Sequence, residues 1–193
     1  MLIWIDGPAG CGKTTTLHML EAMIGNEKCL FWDSDLFFHQ YMVELPQPVA
    51  DPVADPGGFD WLKMIFLHKS AVGDISFHTH LRELIDAEIC ISTIVVTMSL
   101  INMDIKENLY DYYRNAPSVD FKHVILTASH KQLESRILND VNREYKEDHL
   151  AELNSSLIFL NDHYHNREDI WIDTTDKSPD EVAKEIIRTT GIV

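Results

Sequence analysis

The feature that most constrains this chain is a glycine-rich segment that directly follows a short apolar run. The segment is Gly7-Pro8-Ala9-Gly10-Cys11-Gly12-Lys13-Thr14, and it satisfies the phosphate-binding pattern G-x-x-x-x-G-K-[ST] at every required position. The preceding Leu2–Ile5 is typical of a buried strand, and Leu17, Leu20 and Ile24 recur at helical spacing after the segment. The sequence therefore predicts a strand, a phosphate-binding loop and a helix in succession.

This P-loop (Gly7–Thr14) has the chemistry needed to bind the phosphates of a nucleoside triphosphate. Its glycines let backbone N–H groups turn around phosphate oxygens, and the helix N-terminus adds a positive dipole end. Lys13 supplies a positive charge to the β- and γ-phosphates, and the Thr14 hydroxyl is suited to ligate Mg²⁺. The expected nucleotide contacts are Gly7, Pro8, Ala9, Gly10, Cys11, Gly12, Lys13, Thr14 and the following Thr15.

Composition and charge limit the classes of function. The 193 residues include 31 acidic and 16 basic side chains, and the net charge of −15 disfavours binding to nucleic acid or to anionic membranes. No apolar stretch approaches the roughly 18 residues of a membrane span, and the N-terminus shows no secretory signal. The three cysteines lack C-x-x-C spacing, which argues against a disulfide framework or a zinc site. We expect a single domain, residues 1–193, in the cytoplasm.

Apolar runs alternate with helical patterns, which is typical of an α/β fold with a parallel sheet. The predicted strands are Leu2–Asp6, Cys29–Trp32, Ile89–Val96, Phe121–Thr127 and Ile170–Asp173. Ser129 and Ser178 each precede a helical pattern with the spacing of a capping box. The first of these helices is expected to turn Leu133, Ile137 and Val141 inward.

Two acids follow the second strand in the run Trp32-Asp33-Ser34-Asp35. Ligands bind at the carboxyl ends of parallel strands, and side chains two residues apart point the same way in an extended chain. One acid can hold metal-bound water, while the other orients or deprotonates a substrate hydroxyl. The alternative is an Asx-turn or a helix cap.

The third strand ends at Val95-Val96-Thr97-Met98-Ser99, without the acid that commonly assists the metal at this position. Asp33 or Asp35 would then have to take that role. Thr97 and Ser99 are either contacts to phosphate-bound water or substrate, or ordinary hydroxyls at a strand end.

Two further segments are expected to close over the ligands. Arg136 and Arg143 precede or lie in a polar stretch, Asn139–His149, that predicts a lid, and an arginine there can stabilise charge on a transferred phosphoryl group. The alternative is a solvated helix face. The segment 45–82 begins with a proline-rich loop, continues into a helix expected near Asp60, and is predicted to cover a second substrate.

Several of these motifs together resemble the small P-loop kinases, a group that includes shikimate, gluconate, adenylylsulfate and nucleotide kinases. The resemblance is carried by the loop after Leu2–Ile5, the acids after the second strand, His123–Ser129 leading to Arg136, and Trp171–Thr175 followed by Ser178–Val182. The likeness is greatest to the ATP-binding tunicamycin-resistance proteins, through Ile3–Ile5, Val95–Met98 and Leu126–Ser129. It implies a three-layer P-loop NTPase fold, with a five-stranded parallel sheet of order 2-3-1-4-5, helices on both faces and a small lid.

The resemblance also implies ATP with Mg²⁺ as the phosphoryl donor. On this basis Asp33 and Asp35 match metal- and substrate-binding acids, Arg136 lies against the nucleotide, and Thr174 and Thr175 lie near the adenine.

The sequence thus favours an ATP-dependent phosphotransferase that acts on a hydroxyl of a small molecule, with a nucleoside-like antibiotic as one candidate acceptor. The expected catalytic residues are Lys13, Asp33, Asp35, Arg136 and Arg143, and the expected metal ligands are Thr14 and Asp33. Two alternatives stay open: a protein that binds ATP and sequesters a ligand without phosphorylating it, and a nucleoside monophosphate kinase. The oligomeric state is open between a monomer and a homodimer.

Overall fold

The computed structural model describes residues 1–34, 77–86, 92–143 and 146–193, and the strands within these ranges form a five-stranded parallel sheet. The strands are β1 (Leu2–Asp6), β2 (Cys29–Asp33), β3 (Thr93–Thr97), β4 (Phe121–Thr127) and β5 (Ile170–Asp173). Their order is β2-β3-β1-β4-β5, so β1 lies at the centre with β3 and β4 as neighbours. The predicted sheet order is confirmed.

Helices connect these strands and pack on both faces of the sheet. They are α1 (Lys13–Ile24), α2 (Phe77–Asp86), α3 (Met103–Ile105), a π-helical turn (Lys106–Tyr110), α4 (Asp111–Asn115), α5 (His130–Asn139), α6 (Lys146–His163) and α7 (Pro179–Thr190). Across the described ranges, no helix is both long and apolar enough to cross a membrane.

The two faces of the sheet have separate hydrophobic cores, which follow from the alternation of side chains along β1. Ile3 and Ile5 point to the first core, which α1, α5 and α7 cover, whereas Leu2 and Trp4 point to the second core, which lies under α2, α3 and α4. Because every side chain of β1 is buried, the strand is apolar at successive positions up to Asp6. This pattern is the predicted three-layer arrangement.

Two local predictions were wrong in detail. The third strand runs over Thr93–Thr97, and Ser92 before it is not part of it; positions 89–91 of the predicted strand lie outside the described ranges. Val141 was expected to face inward, but it is 89% exposed because α5 ends at Asn139 and the chain leaves the helical path. Leu133 and Ile137 are fully buried, as predicted.

The two predicted capping boxes differ in the structure. Ser178 forms one, since its Oγ accepts from the Glu181 backbone N–H and the Glu181 carboxylate accepts from the Ser178 N–H. Ser129 is the N-cap of α5, but its side chain makes no capping bond, and its N–H donates to the Thr175 Oγ1 at 2.8 Å. The capping box predicted at Ser129 is therefore absent, because its backbone N–H is already hydrogen-bonded to Thr175.

Replacing Ser178 with Ala should lower the free energy of unfolding by about 1 kcal/mol, the usual contribution of an N-cap side chain. Ser129→Ala is the matched control and should change the free energy of unfolding by only a few tenths of a kcal/mol, since no capping bond is lost. Urea denaturation of both variants measures the difference. Equal losses in the two variants would contradict the assignment.

Candidate nucleotide-binding site

The P-loop runs from the carboxyl end of β1 into the N-terminus of α1. Gly12 is the N-cap of α1 with a left-handed φ of 99°, no side chain makes a capping bond there, and the first turn carries no acid. The first N–H groups of α1 are thus left without an intrahelical or capping partner. Such an end attracts an anion through its free donors and its dipole.

Two glycines allow the loop to approach its neighbours more closely than any other residue would. Gly7 has φ 146°, and a Cβ there would lie 2.3 Å from the Leu126 carbonyl oxygen of β4. Gly10 has φ 79°, and its Cβ would lie 3.0 Å from the Leu133 carbonyl oxygen and 3.1 Å from the Ile137 Cγ1. The loop backbone is therefore packed against β4 and α5, which fixes the position of its amide groups.

Polar side chains cover the beginning of the loop. The Lys13 ammonium donates to the carbonyl oxygens of Gly7 at 2.7 Å and Pro8 at 3.3 Å. The Ser99 hydroxyl, from the chain after β3, donates to the same Gly7 carbonyl at 3.0 Å. Thr14 and Thr15 are exposed at the start of α1. This arrangement suits an incoming phosphate, for which the Lys13 ammonium can exchange its carbonyl partners.

Cys11 is buried within the loop and is not suited to act as a nucleophile. Burial raises the pKa of its thiol, and this effect outweighs the opposing charge of Lys13. The thiol therefore stays protonated near neutral pH, and Cys11 acts as a small core residue.

Arg136 joins the loop to the end of β5. Its guanidinium donates to the Thr174 Oγ1 at 2.9 Å, to the Thr174 carbonyl oxygen at 2.7 Å and to the Gly10 carbonyl oxygen at 3.4 Å. The buried Thr174 hydroxyl also lies 3.3 Å from the Cys11 carbonyl oxygen. Arg136 and Thr174 are thus held against the P-loop by hydrogen bonds before any ligand is considered.

A cavity of about 300 Å³ lies beside these residues. Its walls come from the P-loop, from α5 and the turn after it, and from the chain between β5 and α7. The lining residues include Gly10, Cys11, Gly12, Thr15, Arg136, Arg143, Thr174 and Val182. The structure therefore brings several of the predicted site residues together at one cavity.

The charge of this cavity is mixed but rich in cations. Arg143 pairs with Asp140 at 3.3 Å, and both side chains line the cavity with Lys177. On α6, burial lowers the pKa of His149, and the nearby positive charges of Arg143 and Lys13 lower it further. His149 therefore stays neutral at neutral pH and adds no positive charge beside Arg143.

Other predicted residues lie apart from the cavity walls. The Thr175 hydroxyl donates to the Asp173 carboxylate at 2.6 Å and does not line the cavity. Asp33 is buried at the end of β2, paired in register with Thr97, whose hydroxyl has no hydrogen-bond partner among the residues described. Asp35 lies outside the described residues, as do positions 45–76 of the predicted acceptor-covering segment and positions 144 and 145 of the predicted lid.

The described residues contain no cluster of three or more His, Cys, Asp or Glu side chains that could hold a metal ion alone. A site for Mg²⁺ would instead combine phosphate oxygens with the Thr14 hydroxyl and, through water, the Asp33 carboxylate.

Sequence reasoning missed a polar group directly beneath the loop. Asp6, the last residue of β1, is fully buried, and its Oδ1 accepts from the Gly7 N–H at 2.6 Å and the Leu100 N–H at 3.0 Å. Its Oδ2 lies 3.4 Å from the His123 Nε2, and the His123 Nδ1 lies 3.3 Å from the Asp169 Oδ1. The available signal was an acid that ends an apolar strand immediately before the P-loop, and a histidine within the apolar run of β4.

No protein-family model and no curated protein sequence matches this chain. Solved structures match it in fold. A tunicamycin resistance protein from Deinococcus radiodurans is 19% identical at a TM-score of 0.62, over 100% of this chain and 96% of that chain. A shikimate kinase from Acinetobacter baumannii, solved in complex with shikimate, is 19% identical at a TM-score of 0.57, over 97% and 90%. An APS kinase from Mycobacterium tuberculosis, solved in complex with AMPPNP and APS, is 18% identical at a TM-score of 0.55, over 98% and 96%. The chain has the fold of the small P-loop kinases.

Replacing Gly7 with Ala should destabilise the protein by about 3 kcal/mol or more, because a left-handed residue gains a Cβ and a core clash is added to that strain. Gly191→Ala is the control: its φ of 75° and ψ of 17° are left-handed, but nothing lies within 4 Å of the added Cβ. That variant should lose only about 1 kcal/mol. Thermal and urea unfolding measure both, and a Gly7→Ala loss no larger than the control would contradict the close packing.

Proposed function

We propose that the protein transfers a phosphoryl group from ATP to a hydroxyl of a small molecule. The observation that carries this proposal is the convergence of the P-loop, the uncapped N-terminus of α1 and the cation-lined cavity at the carboxyl edge of the sheet. The fold supports it, since two of the similar structures are named as kinases, and the named complexes contain AMPPNP, APS or shikimate.

The residues of the loop would bind the triphosphate. The N–H groups at the start of α1 would donate to phosphate oxygens, and the Lys13 ammonium would leave the Gly7 and Pro8 carbonyls to contact the β- and γ-phosphates. Thr14 and Asp33 would hold Mg²⁺, which supplies charge neutralisation between the phosphates when bound. These residues position the reacting groups and stabilise their charge, as phosphoryl transfer requires.

The cavity would receive the nucleoside part of ATP beside the cations that line it. Val182 and Pro179 offer apolar surface on one wall, while Thr174, held by Arg136, offers polar atoms on another. Arg136 and Arg143 would act on the phosphates, with Arg143 exchanging Asp140 for a phosphate oxygen as the predicted lid at 139–149 closes.

On the acceptor side, we propose Asp35 as the residue that orients or deprotonates the acceptor hydroxyl, and segment 45–82 as its cover. Both proposals come from the sequence. The likeness to a tunicamycin resistance protein supports a nucleoside-like antibiotic as one acceptor to test. A single domain that acts in the cytoplasm as a monomer or homodimer completes the proposal.

Sequestration of a ligand without phosphorylation is the second candidate, and the end of β3 favours it. Thr97 occupies the position where an acid commonly assists the metal, and its hydroxyl is buried without a hydrogen-bond partner among the described residues. A nucleoside monophosphate kinase is less well supported, because Arg114 is already paired with Glu168 and Asp169, and Arg82 lies over the Tyr112 ring.

Incubation with Mg-ATP and a panel of acceptors, followed by mass spectrometry, tests the proposal. The panel holds nucleosides, nucleotides, sugar acids, aminoglycosides, chloramphenicol and tunicamycin. A gain of one phosphoryl group on an acceptor is the expected result. Lys13→Ala should lower the rate of phosphoryl transfer by about 100-fold or more, since a preorganised charge at the phosphates is lost.

Lys28→Ala is the matched control, because Lys28 is an exposed lysine on the loop before β2, and its rate should equal that of the wild type. Equal turnover of Lys13→Ala and wild type would contradict the assignment of the P-loop. Binding of Mg-ATP that depends on Lys13, with no product from any acceptor, would instead favour sequestration.

A further inference from the structure

A line of buried charged groups leads from the P-loop to the opposite side of the second core. It consists of Asp6 on β1, His123 on β4 and Asp169 just before β5, and the side chains of all three are completely buried. His123 thus lies between two carboxylates, with 3.4 Å to the Asp6 Oδ2 and 3.3 Å to the Asp169 Oδ1. We call this group the Asp6–His123–Asp169 chain.

The geometry of the Asp6–His123–Asp169 chain favours a doubly protonated imidazole. Each ring nitrogen faces a carboxylate oxygen, and an ionised carboxylate only accepts hydrogen bonds, so both nitrogens donate when both carry a proton. A neutral ring would turn a lone pair towards one of the two carboxylates. Burial lowers the pKa of His123, but the hydrogen bonds to Asp169 and Asp6 outweigh it and raise the pKa above its ordinary value.

The described titratable groups that face His123 besides the two carboxylates are tyrosines and cations. The rings of Tyr110 and Tyr164 lie 4.7 and 4.8 Å from it, and burial raises the pKa of both phenols, so they stay neutral. Arg114 on α4 pairs with Asp169 and with the exposed Glu168. Lys106 lies over both tyrosine rings and pairs with Asp111.

Asp169 is the end of the Asp6–His123–Asp169 chain that lies farther from the P-loop, and several hydrogen bonds hold it in place. Asp169 Oδ1 accepts from the Tyr110 hydroxyl at 2.9 Å and from Arg114 at 3.1 Å, and its Oδ2 accepts from the Asn166 N–H at 3.1 Å. Burial raises the pKa of Asp169, but hydrogen bonds from His123 and Tyr110 and the charge of Arg114 outweigh it and lower the pKa. Asp169 therefore remains a fixed negative partner for the imidazolium.

Asp6, the end of the Asp6–His123–Asp169 chain nearer to the P-loop, holds the backbone of the loop. Asp6 Oδ1 binds the Gly7 N–H, the first amide of the loop, and the Leu100 N–H, just after Ser99. The Tyr164 hydroxyl donates to the Leu100 carbonyl oxygen at 2.7 Å, so both backbone polar groups of Leu100 are hydrogen-bonded. Ser99 in turn donates to the Gly7 carbonyl, and one carboxylate thus fixes both segments that border the phosphate position.

We propose that His123 is a positioning residue for the P-loop, whose imidazolium bridges Asp169 and Asp6 and thereby fixes the carboxylate that holds the Gly7 and Leu100 amides. The imidazolium also neutralises a buried negative charge beneath the loop that would otherwise repel a triphosphate. The consequence for ATP affinity rests on the proposed function, whereas the link between His123 and the Gly7 amide does not.

The first test is an NMR titration of the full, isotopically labelled chain. The ring signals of His123 give its pKa, and the amide protons of Gly7 and Leu100 are followed over the same pH range. We expect both amides to shift with the midpoint of His123. In Asp169→Asn, which removes one negative partner, all three midpoints should fall together. Amides that do not follow His123 in the wild type would overturn the proposal without the need for any variant.

The second test measures the dissociation constant of Mg-ATP across the same pH range. The affinity should fall about tenfold as the pH rises through the His123 midpoint, the size of one lost charge-assisted hydrogen bond. The step should move to lower pH in Asp169→Asn, which separates it from titration of the nucleotide itself. His165→Gln, at an exposed histidine near Asp169, is the control and should leave the step unchanged.

The outcomes separate the two proposals. Amides that follow His123 in a protein that binds no Mg-ATP at any pH would refute the proposed function and leave the positioning link standing. Mg-ATP binding whose pH dependence does not move in Asp169→Asn, although His123 titrates lower there, would refute the role of His123 and leave the proposed function standing.

Discussion

The structure depends on how closely the P-loop backbone approaches the carboxyl end of β4. Gly7 lies so near the Leu126 carbonyl oxygen that no side chain fits between them, and Gly10 is closely but less tightly confined by Leu133 of α5. Because β4 pairs directly with β1, this contact fixes the loop to the centre of the sheet. The first turn of α1 then faces the edge of the sheet where Thr174 and Arg136 lie.

The opposite side of the same loop is held by polar rather than steric contacts. Asp6 ends the buried run of β1 and turns towards the second core, where an unpaired carboxylate would be strongly unfavourable. His123 and two backbone N–H groups satisfy it. His123 contributes stability that is fully present below the ordinary histidine pKa near 6.5 and is lost as the pH rises through its raised pKa. Asp169, with its lowered pKa, contributes stability that is lost as the pH falls through that pKa. The loop is thus held most firmly between these two limits.

The sequence predicted what is local and failed where distant residues meet. The P-loop, the five strands and the cap at Ser178 are contiguous patterns, so spacing alone identifies them. Ser129 has the same capping pattern but forms no box, because Thr175, 46 residues away, accepts its N–H. The Asp6–His123 contact joins residues 117 positions apart, and only the pairing of β1 with β4 brings them together. Arg136 was predicted from its position beside the expected lid and from a family resemblance, but its hydrogen bonds to Thr174 required the structure.

The charge distribution explains how so acidic a chain can present a site for an anion. The net charge is −15, so the average field repels phosphates, and binding has to rest on local groups. The cavity collects Arg136, Arg143 and Lys177 against a single lining acid, Asp140, within the described residues. The Arg136 guanidinium is hydrogen-bonded to Thr174 and so stays in place, whereas the Arg143 side chain forms an ion pair with Asp140. Cations concentrated at one cavity therefore give the described part of this acidic chain a local environment suited to an anion, and the Arg143–Asp140 pair lies in the turn beside it.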